Sequence, residues 1–218
     1  MEKNLLLDNR YQLENRIGSG GMASVYMAMD LKLKRKVAVK ILHEHMAKNP
    51  EIKKRFQLEA QAISAIEHPN IVKIYDYSGI NSEHSWLVTE VISGQNLGEY
   101  LSLFPKSRLH PILASCIVRE VSKALGAAHD KGIIHRDIKP ENVMITETGV
   151  VRLMDFGIAK DLQQNSLTQT GTFIGSPGYM SVEQIKGKGV DYRSDIYSLS
   201  ILFYELVTGV LPYKGSSS

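Results

Sequence analysis

The sequence predicts an α+β protein whose first part is rich in strands and whose second part is mainly helical. Two observations support this prediction. Between residues 11 and 42, three runs alternate apolar and polar side chains, which is the period of a half-buried strand. From about residue 94 onward, apolar residues recur every three or four positions, which is the period of an amphipathic helix. We therefore expect two domains that meet near residue 92.

The strand-rich part contains five predicted strands and one long helix. A glycine-rich turn at residues 18–21 joins the first two strands. Asn49 is a suitable N-cap and Pro50 a suitable first residue of the helix, and the sequence His-Pro-Asn at 68–70 ends it. The strands are predicted at residues 11–17, 24–29, 36–42, 71–77 and 85–91.

The second part contains two long predicted helices. Residues 111–130 form an amphipathic pattern that closes at Gly132. Residues 191–208 are apolar on nearly all sides, which indicates a helix in the middle of a domain.

Composition narrows the range of function classes. The 218 residues carry a formal net charge of +3, which does not favour a nucleic-acid partner. The single cysteine, Cys116, excludes an internal disulfide and is typical of a reducing compartment. Neither a signal peptide nor an apolar stretch long enough to span a bilayer is present. We expect a cytoplasmic protein that does not bind nucleic acid and has no membrane segment in this chain.

The most informative motif is the sequence HRDIKPEN at residues 135–142, followed thirteen positions after its last residue by DFG at 155–157. The two segments supply a carboxylate, an ammonium group and a carboxamide in one loop, and a second carboxylate after the next hairpin. Transfer of a phosphoryl group requires this set: a base for the acceptor hydroxyl, a cation near the transferred charge, and oxygen ligands for magnesium.

This motif resembles the signature of protein kinases, and residues 10–215 are most similar to bacterial members of the eukaryotic-type Ser/Thr protein kinase family. The resemblance implies a two-lobed protein-kinase fold. Its N-lobe, residues 1–92, would hold an antiparallel sheet and one long helix, and residues 93–218 would form a C-lobe lacking its last helices. The implied cofactors are ATP and Mg²⁺, with Mn²⁺ as an alternative ion, and the implied partners are proteins that offer Ser or Thr hydroxyls.

The resemblance also assigns roles in the reaction centre. Asp137 would accept the proton of the substrate hydroxyl, Lys139 would contact the transferred phosphoryl group, and Asn142 and Asp155 would bind the metal. Three further residues would be structural: His135 and Phe156 in a hydrophobic column, and Asp195 as an anchor for the backbone of the catalytic loop.

A nucleotide clamp is predicted in the first part. The glycine-rich loop alone is also compatible with an ordinary hairpin turn, but its place between two strands excludes a dinucleotide fold or a Walker loop. Ala38 and Lys40 would share one face of a strand. Glu59 lies on the apolar stripe of the long helix, so it needs a cation, and the resemblance names Lys40. The predicted ATP-binding residues are Ile17, Gly18, Ser19, Gly20, Gly21, Met22, Ala23, Ser24, Val25, Ala38, Lys40, hinge residues Thr89, Glu90 and Ile92, and Met144.

Control by phosphorylation is predicted from Arg136, because family members with an arginine before the catalytic aspartate usually bind a phosphate of the activation loop. The candidate acceptors are Thr168, Thr170 and Thr172. The sequence departs from the family pattern after this loop, because Ser-Val-Glu at 181–183 lacks the usual proline before Glu183. The sequence also stops before the helix that normally provides the arginine partner of Glu183, as expected either of a fragment or of an unusually small kinase in which something else covers that surface.

Two alternatives to a protein kinase remain open from the sequence. The chain could be a catalytically silent, ATP-binding pseudokinase scaffold, or a small-molecule kinase of the same superfamily. The resemblance also implies an incompletely covered apolar flank on the helix at 191–208. We expect the chain either to fold with low stability or to bury this flank against another copy of itself or a partner.

Overall fold

The computed structural model describes residues 5–79, 82–157, 177–187 and 189–213. The chain divides into two compact units. The first consists of Met1–Glu67 and Val72–Val91, and the second consists of His68–Ile71 and Ile92–Ser218. The short stretch 68–71 therefore belongs with the second unit, although it lies within the first part of the sequence.

The first unit contains six strands: β1 (Leu6–Leu7), β2 (Tyr11–Ser19), β3 (Ala23–Asp30), β4 (Arg35–Leu42), β5 (Ile74–Tyr77) and β6 (Trp86–Thr89). They form an antiparallel sheet with the strand order β1-β2-β3-β4-β6-β5. Two of them are shorter than predicted: β5 begins only at Ile74, since Ile71 instead bridges to Leu153, and β6 ends at Thr89, so Glu90 lies outside it.

The two faces of β4 differ as the alternation predicts. Val37, Val39 and Ile41 are buried and pack in a core with Trp86 and its neighbours on the adjacent strands, while Ala38 and Lys40 on the other face are only partly buried. The apolar alternation thus places the Ala38/Lys40 face away from that core.

Two helices follow β4: α1 (Glu44–Ala47) and α2 (Pro50–Ser64). The side chain of Asn49 accepts hydrogen bonds from the N–H groups of Glu51 and Ile52, so it caps α2 as the sequence predicts. Ile52 and Phe56 lie on the buried face of this helix, and Glu59 is partly buried.

The second unit combines four helices of the described chain with a three-stranded antiparallel sheet of order β7-β8-β9. The helices are α3 (Leu97–Ser102), α4 (Pro111–His129), α5 (Val182–Ile185) and α6 (Tyr192–Thr208), and the strands are β7 (Gly94–Asn96), β8 (Val143–Thr146) and β9 (Val151–Leu153). Short 3₁₀ turns lie at Pro105–Ser107, Pro140–Asn142 and Pro177–Tyr179. Gly94 has a φ of +157°, and a Cβ there would lie 2.2 Å from the Ile145 carbonyl oxygen, so the pairing of β7 with β8 requires glycine.

Helix α6 packs against α4 with one side only. Its buried side includes Asp195, Leu202 and Leu206, each with no exposed surface, whereas Ile196 and Tyr204 on the other side are 52% and 45% exposed. The helix is therefore covered on one side, and the exposure of its other side agrees with the incompletely covered apolar flank expected from the sequence. None of the helices in the described ranges is long and apolar enough to cross a membrane.

Candidate active site

Asp195 holds the backbone of the loop that carries the HRD motif. Its carboxylate is fully buried and accepts hydrogen bonds from the N–H groups of His135 (2.8 Å) and Arg136 (2.7 Å). A third hydrogen bond joins it to Nε2 of His129 at 2.8 Å. A buried carboxylate is stable only when it is well hydrogen-bonded, so the position of this loop and that of α6 are tied together.

His135 links the HRD loop to the DFG segment. Its Nδ1 accepts from the N–H of Asp137 (3.2 Å), and its Nε2 donates to the carbonyl of Met154 (2.8 Å). Burial lowers the pKa of His135, which favours the neutral ring that this pattern requires. The ring also packs 4.6 Å from that of Phe156, and the carbonyl of His135 accepts from the N–H of Gly157 (2.7 Å).

Asp137 and Asn142 form the centre of the loop. Nδ2 of Asn142 donates to the main-chain carbonyl of Asp137 (2.7 Å) and to its Oδ2 (2.8 Å), while Nζ of Lys139 lies 3.4 Å from the same oxygen. Both bonds use the amide nitrogen, so neither engages Oδ1 of Asn142, which has the chemistry of a metal ligand.

The second carboxylate follows β9 closely. The N–H of Met154 donates to the carbonyl of Asn142 (2.9 Å), which brings the backbone before Asp155 alongside the HRD loop. Asp155 has a φ of +51° and Arg136 a φ of +64°. Non-glycine residues rarely adopt this left-handed region, and such strain concentrates at functional sites.

In the first unit, the glycine-rich segment forms the turn between β2 and β3. The N–H of Gly20 donates to the carbonyl of Ala23 (2.9 Å), and Ser19 pairs with Ser24 across the hairpin. A Cβ added at Gly18 or Gly20 would meet no heavy atom closer than 3.7 Å. The fold itself therefore does not require glycine at these two positions, which is consistent with close approach of a ligand.

His43 contacts this glycine-rich turn, which the sequence patterns did not predict. Its main-chain N–H donates to the carbonyl of Met22 (2.8 Å), and its ring Nε2 lies 3.2 Å from Oγ of Ser24. Oγ of Ser24 in turn lies 3.4 Å from Oγ of Ser19.

Strand register places several predicted nucleotide-binding residues on one face of the sheet. Lys40 lies opposite Val25 on β3, and Ala38 lies opposite Thr89 on β6. Directly opposed residues of antiparallel strands point to the same face. The remaining predicted loop residues, from Ile17 to Met22, continue along β2 and its turn.

The predicted hinge residues are fixed by local hydrogen bonds. The N–H of Glu90 donates to the carbonyl of Lys73 (3.0 Å), and the Glu90 carboxylate accepts from the N–H of Lys73 (2.8 Å). The carbonyl of Glu90 accepts a hydrogen bond from the Thr89 hydroxyl (3.2 Å). In the second unit, Ile92 is partly buried and Met144 lies on β8.

The segment after the activation loop begins α5 without the usual proline. Ser181 and Gln184 form a reciprocal capping box, which starts the helix instead. Glu183 accepts a hydrogen bond from the hydroxyl of Ser194 (2.5 Å), and this bond holds the pKa of Glu183 below its usual value.

Gln184 was not identified from the sequence, yet its Nε2 donates to the carbonyl of Arg136 at 2.9 Å. Its capping-box spacing from Ser181 was the one available signal. The predicted phosphorylation sites Thr168, Thr170 and Thr172 lie outside the described residues.

A model of the protein kinase domain family matches residues 11–218, which is nearly the whole chain. The chain belongs to this family. A probable serine/threonine-protein kinase of Clostridium perfringens is 45% identical over 97% of this chain and 30% of its own length. The serine/threonine-protein kinase PrkC of Bacillus subtilis is 42% identical over 97% of this chain and 32% of its own length. The chain therefore spans less than half the length of these relatives.

Solved structures agree with this assignment. The PknI kinase domain of Mycobacterium tuberculosis superimposes with a TM-score of 0.80 and 27% identity, covering 100% of this chain and 81% of that domain. The predicted family and the protein-kinase fold are confirmed. Use of ATP and a divalent metal is general in this family.

Proposed function

We propose that this chain is a protein serine/threonine kinase that transfers the γ-phosphoryl group of ATP to Ser and Thr hydroxyls of proteins. The observation that carries the proposal is the arrangement around Asp137. Its Oδ2 accepts from Nδ2 of Asn142 at 2.8 Å and lies 3.4 Å from Nζ of Lys139. Asp195 holds the backbone of the same loop through the N–H of Arg136. A fixed carboxylate next to a cation and an amide oxygen supplies the base, the positive charge and a metal ligand that phosphoryl transfer requires.

In the reaction, Asp137 accepts the proton of the substrate hydroxyl while the hydroxyl oxygen forms a bond to the γ-phosphorus. The bond between that phosphorus and the bridging oxygen breaks, and ADP leaves with the electron pair. Nζ of Lys139, on the same side of the loop as the base, neutralises charge on the transferred group.

Asn142 and Asp155 would hold Mg²⁺, or Mn²⁺ in its place, through Oδ1 of the amide and the carboxylate. Magnesium usually takes only one or two carboxylates from the protein and completes its shell with phosphate oxygens and water. Within the described residues no cluster of three or more His, Cys, Asp or Glu side chains could hold a metal by itself, which fits such a sparse ligand set. When bound, the ion neutralises phosphate charge.

The first unit would bind the nucleotide. We propose that the backbone of Gly18–Val25 covers the phosphates. Gly18 and Gly20 carry no side chain although the fold has room for one, so a ligand could approach the backbone there closely. The face that carries Val25, Ala38 and Thr89 would pack on the adenine, and backbone groups of Glu90 would hydrogen-bond the adenine edge. Lys40, further along that face, would bind the α- and β-phosphates, with Glu59 of α2 positioning it.

The remaining predicted residues have supporting roles in this proposal. Ile17 and Met22 flank the turn, Ile92 would offer backbone groups to the adenine edge, and Met144 would form the floor of the adenine site. Autophosphorylation between residues 166 and 172 would provide the anion that Arg136 binds.

Self-association is a further part of the proposal. Ile196, Phe203 and Tyr204 are exposed on α6. Because Phe203 and Tyr204 lie seven and eight positions after Ile196, about two turns of helix, the three side chains share one face. We propose that a second copy of the chain covers this face. Light scattering across protein concentration tests it: a mass that rises toward that of a dimer supports the contact, and a monomer at all concentrations contradicts it.

The kinase assignment is tested by incubating the purified chain with γ-labelled ATP, Mg²⁺ and a generic basic protein, followed by phosphoamino-acid analysis. We expect label on phosphoserine or phosphothreonine. ATP binding without transfer would indicate the pseudokinase alternative, and transfer only to small metabolites would indicate the small-molecule kinase.

A further inference from the structure

Both backbone hydrogen-bonding groups of Arg136 are held by side chains from other elements. Its N–H donates to Oδ1 of Asp195 on α6 at 2.7 Å, and its carbonyl accepts from Nε2 of Gln184 on α5 at 2.9 Å. Arg136 immediately precedes Asp137 and has a φ of +64°. A residue with a large side chain does not adopt this conformation unless its surroundings impose it.

Gln184 is well placed to impose it. The residue is 3% exposed, and its Oε1 accepts the N–H of Ser181 at 3.0 Å. Because the oxygen is engaged in the capping box, the amide orientation is fixed and Nε2 must point toward Arg136. The side chain of Gln184 therefore donates one hydrogen bond and accepts another, and because it is buried, water cannot take the place of either bond.

We infer that Gln184 is a positioning residue for catalysis, which holds the peptide between Arg136 and Asp137 so that the base faces the acceptor hydroxyl. The residue does not touch substrate. It acts through the Arg136 carbonyl, whose peptide plane also contains the N–H that Asp137 donates to Nδ1 of His135 at 3.2 Å. Rotation of this plane would move the Asp137 carboxylate and break that hydrogen bond. This inference rests on the proposed kinase function.

The chemistry at this position is specific to glutamine. Methionine has a similar length but can neither donate nor accept strongly, so it removes both hydrogen bonds. Glutamate keeps the acceptor for Ser181, but when ionised it presents a negative oxygen to the carbonyl of Arg136. When protonated, the same glutamate regains an O–H donor. Gln184→Glu should therefore recover its function as the pH falls.

A matched control exists in the first unit. Gln57 on α2 is 9% exposed, and its Nε2 donates to the carbonyl of Ser78 at 3.0 Å. Gln57→Met removes a buried glutamine-to-carbonyl hydrogen bond of the same kind, but the bond does not involve the HRD loop. Any general cost of losing such a bond appears in both variants.

The experiment compares kcat, the KM for ATP and the melting temperature of wild type, Gln184→Met, Gln184→Glu and Gln57→Met. We expect Gln184→Met to lower kcat about 10- to 100-fold, as small misplacements of catalytic groups do, with KM for ATP within about twofold. Gln57→Met should lower the melting temperature similarly and keep kcat. For Gln184→Glu, the ratio of its kcat to that of wild type should rise steadily as the pH is lowered from about 8.5 to about 5.5.

Equal kcat values for Gln184→Met and wild type would overturn the inference, as would equal losses in Gln184→Met and Gln57→Met. If Gln184→Met does not fold, the pH profile of Gln184→Glu decides alone, and a ratio independent of pH would overturn the inference. A wild-type chain that binds ATP but transfers no phosphoryl group would instead contradict the proposed function, and the positioning role with it.

Discussion

The amide nitrogen of Asn142 donates to Asp137 twice, at 2.7 Å to its main-chain carbonyl and at 2.8 Å to its carboxylate. This double contact separates two tasks within one loop. The nitrogen of the amide fixes Asp137, the proposed base, while the amide oxygen would be available to the proposed metal ion. A carboxylate at residue 142 could not do both, because it has no donor and would repel Asp137.

The first prediction follows from this division. Asn142→Ala should raise the Mg²⁺ concentration needed for half-maximal activity by at least ~10-fold, since even the loss of an outer-shell partner of a metal commonly has that effect. Activity measured against Mg²⁺ concentration tests it. Asn70→Ala is a matched control, because this buried side chain donates to the carbonyl of Val151 (2.8 Å) and should leave the Mg²⁺ requirement unchanged. An unchanged requirement in Asn142→Ala would count against a ligand role.

The second prediction concerns the cation on β4. Lys40→Met should lower kcat by about 10²-fold or more, the usual loss when one preorganised charge-stabilising group is removed. Lys36→Met provides the control, because Lys36 lies on the same strand, is exposed, and reaches only Glu14 at 4.0 Å. Steady-state kinetics of both variants tests the prediction. Equal activities of the two would show that Lys40 does not bind the phosphates.

The third prediction concerns pH and stability. Burial raises the pKa of the Glu205 carboxyl, although a hydrogen bond from Tyr179 (2.5 Å) partly opposes the effect. Since the folded pKa lies above the ordinary value of 4.5, the folded state binds more protons between the two values. The contribution of this group to stability is therefore fully present below about pH 4.5 and is lost as the pH rises through the raised pKa.

Glu205→Gln, which still accepts from Tyr179, should then gain stability relative to wild type as the pH rises. Urea unfolding at about pH 5 and about pH 8 measures the difference. Glu147 is exposed, so Glu147→Gln serves as the control, and its stability relative to wild type should not rise with pH. A difference between Glu205→Gln and wild type that shrinks toward pH 8 would show that the sign is wrong.

The fourth prediction concerns control. We expect autophosphorylation within residues 166–172, chiefly on Thr168 or Thr170, and none in Asp137→Asn. Mass spectrometry of the two proteins, made in the same host, tests this directly. Equal phosphate on both would mean that a host kinase adds it, and no phosphate on an active wild type would contradict the mechanism.

The elements that were predicted well are those whose sequence patterns involve residues close together in the chain. The alternation in β4 and the Asn49 cap of α2 depend on neighbouring residues, so a single sequence contains the necessary information. β7 could not be predicted, because it is three residues long and is defined by its pairing with β8, about fifty residues later. Its Gly94 resembled a simple break for the same reason.

The candidate site shows the same limit. The motif at 135–142 and the DFG segment led, through a family resemblance, to the proposed reactive side chains and to the expectation that Asp195 anchors the catalytic loop. The contacts of Gln184 with Arg136 and of His43 with Ser24 join residues 48 and 19 positions apart. No periodicity or composition reports such a contact, and only the folded chain shows that these residues brace the HRD loop and the glycine-rich turn.

The most direct test of the account is the effect of Asp137→Asn on transfer and on binding, measured separately. Single-turnover phosphoryl transfer to a protein substrate should fall by at least ~10²-fold, the usual contribution of a general base. The affinity for ATP and Mg²⁺, measured by calorimetry on the same sample, should remain within about threefold, because the proposed nucleotide and metal ligands are all retained. Wild-type transfer rates in Asp137→Asn would contradict the assignment of the base.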